Sequence, residues 1–317
     1  MVDRPTWDRR NILKATAAVS GFLATTATSA QAPTTPESRP SPSQSTLSDV
    51  SSASGAKITV ERRGTIVLIG INRANFQNRI DPETYLDLAK ALYQYDHDSS
   101  LRAAVLFGHG ENFSRGIDVV GFRPIITAGA PFIPKDATHV QDPLEKATPA
   151  RLSKPLVVVV HGDTWNMAHE IFLAADIRIA AANTNFGQDE NTHGRFPGGG
   201  STVRFVREAG WGNAMRYMLT GDHWSAEEAY RMGTVQQVSP SAEQAMIDGI
   251  AIATKISACA PLGIQTTLAS AHSAVLPTET PALSNLDKEF GRLFHTHDFK
   301  EGVQADAQGR APVYLGN

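Results

Sequence analysis

An uninterrupted apolar run, LVVVV at residues 156–160, restricts the folds open to this chain. A strand with one face in water alternates apolar and polar residues, whereas a strand that is apolar on both faces must be covered on both sides. The run lies within a predicted strand at residues 154–162, and similar strands are predicted at residues 102–108 and 176–181. Helical segments separate strands in the sequence, which favours right-handed crossovers and a mostly parallel sheet. The sequence therefore indicates an α/β fold.

The N-terminal part of this core is predicted to be a β-hairpin followed by a helix. Residues 58–62 and 65–71 have the composition of two strands joined by a turn. Asp81 then stands where it can cap a helix that has Pro82 at its first position. The hairpin and helix place the beginning of the folded core near residue 57.

The C-terminal part is predicted to be helical. After Val238 the sequence predicts no further strand, and residues 239–258, 261–275 and 283–297 have helical spacing. The predicted domains are an α/β core at residues 57–258 and a C-terminal helical region at residues 259–317.

The first thirty residues have the pattern of an export signal. Arg9 and Arg10 precede a short apolar pair and a lysine, and a mildly apolar run follows at residues 15–30. That run is too short and too polar for a stable transmembrane helix. The pattern resembles a bacterial twin-arginine (Tat) signal peptide at residues 1–30, and the alternative is a disordered basic tail. We expect a periplasmic or secreted protein with no integral membrane segment after cleavage.

Composition excludes several classes of protein. The 317 residues suit one sizeable domain with appendages, or two small domains. A net charge of -3 gives no electrostatic reason to expect a nucleic-acid partner. The single cysteine, Cys259, cannot form an intramolecular disulfide. Residues 31–56 are mainly Ser, Thr and Pro, and are predicted to be a disordered linker because they cannot bury enough apolar surface to fold.

Short motifs occur in a fixed order along the core and the C-terminal region. They are NFSRGID at residues 112–118, HG at 161–162 with EIFLAAD at 170–176, FGQDE at 186–190 with FPGGG at 196–200, LTGD at 219–222 and THDFKEG at 296–302. Together they resemble the crotonase superfamily of enoyl-CoA hydratases and isomerases over residues 57–317. The resemblance implies a crotonase-like ββα spiral core with a C-terminal helical trimerisation region, and hence a homotrimer or a dimer of trimers.

Two positions in these motifs can supply main-chain hydrogen-bond donors. Gly116 and the turn at Asn166 lie at strand ends that lead into helices, where N–H groups have no helical partner. Two such donors can stabilise the oxyanion that develops on a substrate carbonyl. By resemblance, the oxyanion hole is formed by the backbone amides of Ile117 and Met167.

Two glutamates are the predicted catalytic residues. By resemblance, Glu170 and Glu190 hold a water molecule and transfer its protons. When two carboxylates lie close together, the pKa of one rises, so one can act as an acid while the other acts as a base. The alternative is that both are surface carboxylates.

Five neighbouring residues are candidates for a substrate-binding or auxiliary role: Arg115, Asp118, His169, Asp189 and His193. A His/Asp pair could activate water, as in members of this superfamily that hydrolyse a carbon–carbon bond of a β-diketone without coenzyme A. Each histidine could instead be packed or solvated. The histidine spacing predicts no metal site.

The chain departs from the family pattern where the family binds the nucleotide end of coenzyme A. Asp306 and Gly309 stand where the family commonly has a Phe and a Lys, so a phosphate partner is lost and a negative charge is added. The sequence shows no other basic cluster to replace them. A side-chain-bearing segment at residues 166–168 also replaces a glycine triplet. No bound cofactor is predicted, and a coenzyme A thioester is a possible substrate carrier.

Three functions therefore stay open at this stage. The first is an enoyl-CoA hydratase/isomerase-like enzyme, and the second is a coenzyme A-independent crotonase such as a β-diketone hydrolase. The third is a non-catalytic binding protein with the crotonase fold. Both enzymes would take a small carbonyl or acyl substrate, stabilise an enolate with backbone amides and use the two glutamates for proton transfer.

The signal peptide can be tested directly. We expect the N-terminal sequence of the secreted protein to begin near residue 31, because the small residues at the end of the apolar run suit cleavage there. Secreted protein that still begins at Met1 would contradict the prediction.

Overall fold

In the computed structural model, which describes residues 49–50, 55–146 and 151–317, seven strands form the main sheet. Pairing is antiparallel among the first three strands, and parallel from the third to the seventh. The predicted hairpin and the mostly parallel sheet are therefore confirmed. In spatial order the strands are β1 (Asp49–Val50), β2 (Ile58–Arg63), β3 (Ile66–Ile71), β4 (Ala103–Gly108), β5 (Leu156–Val160), β7 (Ile177–Ala181) and β10 (Gln237–Ser239).

A second, smaller sheet of the described chain consists of β6 (Asp163–Trp165), β8 (Asn185–Gly187) and β9 (Trp224–Ser225). In it β6 and β8 run parallel, and β8 and β9 run antiparallel. The sequence analysis did not predict this sheet, because strands of two or three residues are too short for a recognisable period.

The predicted N-terminal segments fall mostly outside the described residues. This holds for the signal peptide at residues 1–30 and for most of the linker at residues 31–56. Within the linker, β1 pairs with β2, with Asp49 opposite Arg62.

Helices follow or connect the strands, and the first begins as predicted. The side chain of Asp81 accepts a hydrogen bond from the N–H of Thr84 at 2.8 Å and so caps the helix. The helices are α1 (Pro82–His97), α2 (Val119–Thr127), α3 (Met167–Ala174), α4 (Ser201–Ala209), α5 (Trp211–Thr220), α6 (Ala226–Arg231), α7 (Ala242–Ser257), α8 (Pro261–Leu293) and α9 (His297–Gln308).

The central strand β5 is buried on both faces, as its apolar run predicts. Val158 and Val160 belong to an apolar core with side chains of α1 and α3, whereas Val157 and Val159 belong to a second core with side chains of α7. None of the four is more than 2% exposed. Burial of a valine side chain contributes about 2 kcal/mol, so this strand anchors both layers of helices.

The C-terminal helices differ from the prediction. Two helices at residues 261–275 and 283–297 were expected, but α8 is continuous from Pro261 to Leu293 and α9 starts only at His297. No single helix in the described ranges is long and apolar enough to cross a membrane, and α7 and α8 meet that test only as a pair bent by 105°.

Tertiary contacts explain why α8 continues through two prolines. Pro277 and Pro281 each remove a helical hydrogen bond, and both are exposed. Between them, Glu279 is buried and pairs with Arg151 at 2.6 Å and with Arg207. These contacts hold the segment between the two prolines against the core.

A fully buried arginine ties α4 to a turn of the chain. Nη1 of Arg204 donates to the carbonyl oxygen of Leu144 at 2.8 Å, and Nη2 donates to that of Glu145 at 3.0 Å. Burial raises the pKa of Glu145 to about 7, although the charges of Arg151 and Arg204 oppose the rise. The buried cation therefore fixes this turn.

Replacement of this arginine should destabilise the fold. We expect Arg204→Met to lower the free energy of unfolding by about 3 kcal/mol, because it leaves two buried carbonyl groups without their donor and removes a cation near the buried carboxyl of Glu145. As a matched control, Arg216→Met removes an exposed arginine and should change the free energy of unfolding by less than about 0.5 kcal/mol. Urea unfolding of both variants measures the difference, and equal losses would contradict the assignment.

Candidate active site

A cavity of about 430 Å³ lies among the loops that follow β4, β6 and β8. The carboxyl ends of parallel strands are a common place for ligand sites, because the loops of successive strands meet there. Seven of the predicted site residues line the cavity: Arg115, Ile117, Met167, Glu170, Asp189, Glu190 and His193. Its apolar part is formed by Val119, Phe132, Leu144, Phe196 and Phe290.

The two predicted oxyanion amides lie on loops that touch each other. Gly116 has a φ of +78°, and a Cβ at this position would lie 2.7 Å from the carbonyl oxygen of Trp165 and 3.4 Å from the nitrogen of Met167. Only glycine permits that approach. Within the described residues, neither the N–H of Ile117 nor that of Met167 donates to an acceptor. Both residues line the cavity, where these N–H groups could serve a carbonyl oxygen.

Glu170 lies one turn into α3 and is 4% exposed. Its Oε1 accepts hydrogen bonds from the N–H of Gly199 at 2.7 Å and from the N–H of Ser201 at 3.2 Å. Burial raises the pKa of this carboxyl, and the two amides oppose the rise because they stabilise the anion. A side chain at Gly199 would overlap the carboxylate, so the close approach of the main chain requires glycine there.

Glu190 begins a short 3₁₀ turn after β8 and is 8% exposed. Its Oε1 accepts a hydrogen bond from Nε2 of Gln188 at 2.9 Å, whereas its buried Oε2 has no partner among the described residues. Burial, and then the charge of Glu170, raise the pKa of Glu190 well above its usual range. The two carboxyl groups therefore differ. The environment of Glu190 favours its protonated form, whereas two main-chain donors stabilise the anion of Glu170.

Gln188 and Ser201 connect the two glutamates, and the sequence analysis missed both. Oγ of Ser201 donates to Oε1 of Gln188 at 2.9 Å, while the N–H of the same serine donates to Glu170. The only sequence signal was the position of Gln188 within the FGQDE motif. The connection is a buried side-chain contact, which spacing alone does not reveal.

His169 does not line the cavity. It is fully buried among Phe172, Phe186 and Trp224, and its Nδ1 donates to Oε1 of Gln188 at 2.6 Å. Burial lowers its pKa to about 4, so the ring is neutral. The candidate role of His169 at the substrate is therefore corrected: its side chain lies behind Gln188, in the core.

Asp118 is also placed away from the cavity. Its carboxylate caps α2 by accepting a hydrogen bond from the N–H of Gly121 at 3.1 Å. It lies 3.6 Å from Nη1 of Arg73 as well. The candidate role of Asp118 in substrate binding is replaced by a structural one, since both oxygens serve the main chain and a neighbouring cation.

Asp189 lines the cavity but is fully engaged. It accepts hydrogen bonds from Nδ2 of Asn166 at 2.8 Å and from Nε2 of His223 at 3.1 Å, and Nε2 of His193 lies 3.7 Å away. Burial raises the pKa of Asp189, but the nearby ring of His193 and the hydrogen bonds from His223 and Asn166 outweigh it and hold the pKa well below its usual range. Asp189 is therefore an anion that anchors its neighbours.

His193 lies between two carboxylates. Its Nδ1 donates to Oδ1 of Asp306 at 2.7 Å, and its Nε2 faces Asp189. The nearby carboxylate of Asp189 and the hydrogen bond to Asp306 raise the pKa of His193, so the ring tends to be protonated. A protonated ring cannot accept a proton from a water molecule in the cavity. The same contact pairs the negative charge of Asp306 with a cation.

Three arginines line one part of the cavity. Arg115 donates from Nε to Asp163 at 2.6 Å and lies over the ring of Trp165, and Arg195 is 3.8 Å from Asp306. The guanidinium of Arg79 has no hydrogen-bond or ion-pair partner in the described part of the chain. Burial and then the charge of Arg115 lower its pKa. The sequence analysis found no basic cluster, whereas the structure brings these three arginines together at one cavity.

A metal centre does not emerge from this arrangement. Among the described residues, no group of three His, Cys, Asp or Glu side chains converges to hold a metal ion. The chemistry of the cavity thus rests on its carboxylates, its cations and its main-chain amides.

Solved structures with the same fold are those of acyl-CoA enzymes. A probable enoyl-CoA hydratase/isomerase from Mycobacterium abscessus aligns with a TM-score of 0.66 at 39% identity, over 83% of this chain and 99% of that one. A carnitinyl-CoA hydratase from Mycobacterium avium aligns with a TM-score of 0.74 at 27% identity, over 82% of this chain and 99% of that one. Both match the core and the C-terminal helices.

Relatives that are similar in sequence are also hydratases of coenzyme A thioesters by name. The enoyl-CoA hydratase EchA19 of Mycobacterium tuberculosis is 33% identical over 265 residues, which cover 82% of this chain and 97% of the relative. The (E)-benzylidenesuccinyl-CoA hydratase of Thauera aromatica is 32% identical over 264 residues, with 82% and 99% covered. The family described as enoyl-CoA hydratase/isomerase matches residues 61–317. With these matches and the fold in agreement, the chain belongs to the enoyl-CoA hydratase/isomerase family of the crotonase superfamily.

Proposed function

We propose that this enzyme adds water across the double bond of an α,β-unsaturated acyl thioester carried by coenzyme A. The observation that carries the proposal is the pair of buried glutamates in unequal environments beside two free main-chain amides. Hydration needs a base for the water, an acid for the α carbon and donors for the carbonyl oxygen, and these three groups share one cavity.

The proposed reaction follows from this arrangement. Glu170 takes a proton from water while the water oxygen bonds to the β carbon of the substrate. The electrons of the double bond move toward the carbonyl oxygen, where the N–H groups of Ile117 and Met167 stabilise the enolate. Glu190 then gives its proton to the α carbon. A proton passes from Glu170 back to Glu190, which restores the starting state.

The shape of the cavity supports an acyl substrate. Phe132, Leu144 and Phe290 form an apolar part in which an acyl chain loses contact with water. Two hydratases among the relatives act on coenzyme A thioesters, as their names state. Hydration, rather than isomerisation, is proposed because both glutamates are retained.

The three arginines support an anionic carrier. Arg79 has no protein partner in the described chain, and Arg115 and Arg195 line the same cavity. A guanidinium pairs well with phosphate, because its N–H groups match two oxygens at once. We therefore propose that these arginines take over the phosphate contacts that Asp306 and Gly309 cannot make.

The coenzyme A-independent hydrolase has less support. That reaction would use a histidine to activate water, and His193 is the histidine on the cavity. Two carboxylates raise its pKa, so the ring tends to hold a proton already and is then unable to act as the base. Burial of the two glutamates costs solvation free energy, and a binding protein without activity would have no use for two such buried groups.

Assembly and location extend the proposal. We propose a homotrimer or a dimer of trimers, since the 33-residue helix α8 keeps most of its surface exposed. Export by the twin-arginine route stays a proposal that depends on residues 1–30. These two features do not change the chemistry of the site.

The reaction can be tested with a panel of substrates. We expect the purified protein to hydrate crotonyl-CoA and to leave cyclic β-diketones intact, because the cavity supplies a carboxylate base and no free histidine. Glu170→Gln and Glu190→Gln should each lower kcat by at least about 100-fold, since each removes one proton-transfer group. Cleavage of a diketone without hydration of the thioester would overturn the proposal, and full activity of either variant would remove that glutamate from the mechanism.

The carrier contact can be tested with a truncated substrate. Arg79→Ala should raise KM for crotonyl-CoA by about 10-fold, because a charge-assisted hydrogen bond is lost, while KM for crotonyl-pantetheine should stay unchanged. Arg123→Ala, at an exposed position outside the cavity, is the matched control. An equal rise for both substrates, or no rise for either, would show that Arg79 does not bind the nucleotide end.

A further inference from the structure

Asn166 has a main-chain conformation that favours glycine. Its φ is +53° and its ψ is −121°, and it lies directly before Met167, the residue that supplies an oxyanion amide. A side chain in this region of φ is strained unless other contacts hold it. The conformation therefore requires a compensating interaction.

That interaction comes from Asp189. The N–H of Asp189 donates to Oδ1 of Asn166 at 3.0 Å, and Nδ2 of Asn166 donates to Oδ1 of Asp189 at 2.8 Å. The main-chain N–H of Asn166 also donates to the carbonyl oxygen of Gly187 at 2.8 Å. Since β6 and β8 pair in parallel up to Trp165 and Gly187, the reciprocal pair extends their contact by one more rung.

This additional contact lies where the segments that follow β6 and β8 separate toward the catalytic groups. After Asn166 the chain enters α3, which carries the amide of Met167 and the carboxyl of Glu170. After Asp189 the chain continues directly into Glu190. The pair thus joins the oxyanion loop to the loop of the proposed acid at the point where they separate.

Asp189 is itself anchored on its other oxygen. Nε2 of His223 donates to its Oδ2, and the ring of His223 packs so closely on Gly187 that a side chain at this glycine would overlap it. Asn185 contacts the other ring nitrogen of His223 at 3.3 Å. The carboxylate of Asp189 therefore holds Asn166 in a fixed position relative to the small sheet.

We propose that Asn166 and Asp189 act as positioning residues, forming a clamp that sets the oxyanion amide of Met167 relative to Glu190. The inference rests on the proposed function and deepens it. Neither residue has to take part in proton transfer. A misplacement of about 1 Å between donors and a proton-transfer group is enough to slow a reaction by about 100-fold, so a rigid link at this point has a large effect on rate.

Glycine at position 166 separates positioning from folding. Asn166→Gly removes both side-chain hydrogen bonds and also the main-chain strain, so its Tm should stay near that of the parent. Its kcat for an enoyl thioester should fall by about 10- to 100-fold, with KM changed by less than about threefold, because the apolar contacts to the acyl chain persist.

Two further variants complete the design. Asn166→Ala should lose kcat to the same extent and also lose Tm, because alanine keeps the strain. His139→Gly relieves a positive φ of +58° at an exposed residue away from the cavity, and should leave kcat unchanged. Parent-like kcat in Asn166→Gly would overturn the proposal, and so would equal Tm values for the glycine and alanine variants.

A double-mutant cycle tests the clamp without relying on activity. Asp189→Ala should lower the Tm of the parent more than that of Asn166→Gly, because the hydrogen bond between the two side chains is already absent in the glycine variant. Additive losses of Tm would overturn the clamp. A parent that hydrates no thioester would instead refute the proposed function, while this cycle would still decide on the clamp.

Discussion

The burial of two carboxyl groups in one cavity is the constraint on which the rest of the site depends. A carboxylate taken out of water loses solvation worth several kcal/mol, so it must be hydrogen-bonded or protonated. Glu170 receives two main-chain donors, whereas Glu190 receives one amide of Gln188 and faces the charge of Glu170. The pKa of each carboxyl is raised, but that of Glu190 is raised well above its usual range, and such a difference suits paired acid and base catalysis.

The sheet makes this arrangement possible by bringing distant segments together at one edge. The loops after β4, β6 and β8 meet because their strands are held in register by two sheets. At the closest contacts there is no room for side chains, and Gly116 and Gly199 stand there. The oxyanion donors and one carboxylate partner are consequently main-chain groups, whose positions follow from the fold and tolerate different side chains nearby.

Much of the fold was predictable from local patterns, because apolar runs and capping residues act over short distances. β5 and the start of α1 at Asp81 are examples. The continuity of α8 was not predictable, since contacts of Glu279 with distant arginines override the local effect of two prolines. For the same reason the cluster around Arg79 and the core position of His169 emerged only from tertiary structure: no sequence period relates residues brought together by loops.

The departures from the family pattern are not spread evenly over the site. The glutamates and the glycine of the first oxyanion loop match the family pattern, whereas Asn166, in the replaced glycine triplet, and Asp306, in place of a Phe, both line the cavity. A strained residue such as Asn166 costs about 1–3 kcal/mol and persists only where its surroundings hold it. Here a reciprocal pair with Asp189 does so and joins two catalytic loops. In the proposed function, the chemistry therefore depends on main-chain amides and two carboxyl groups, while side chains such as Asn166 and Arg79 position the catalytic groups and the substrate.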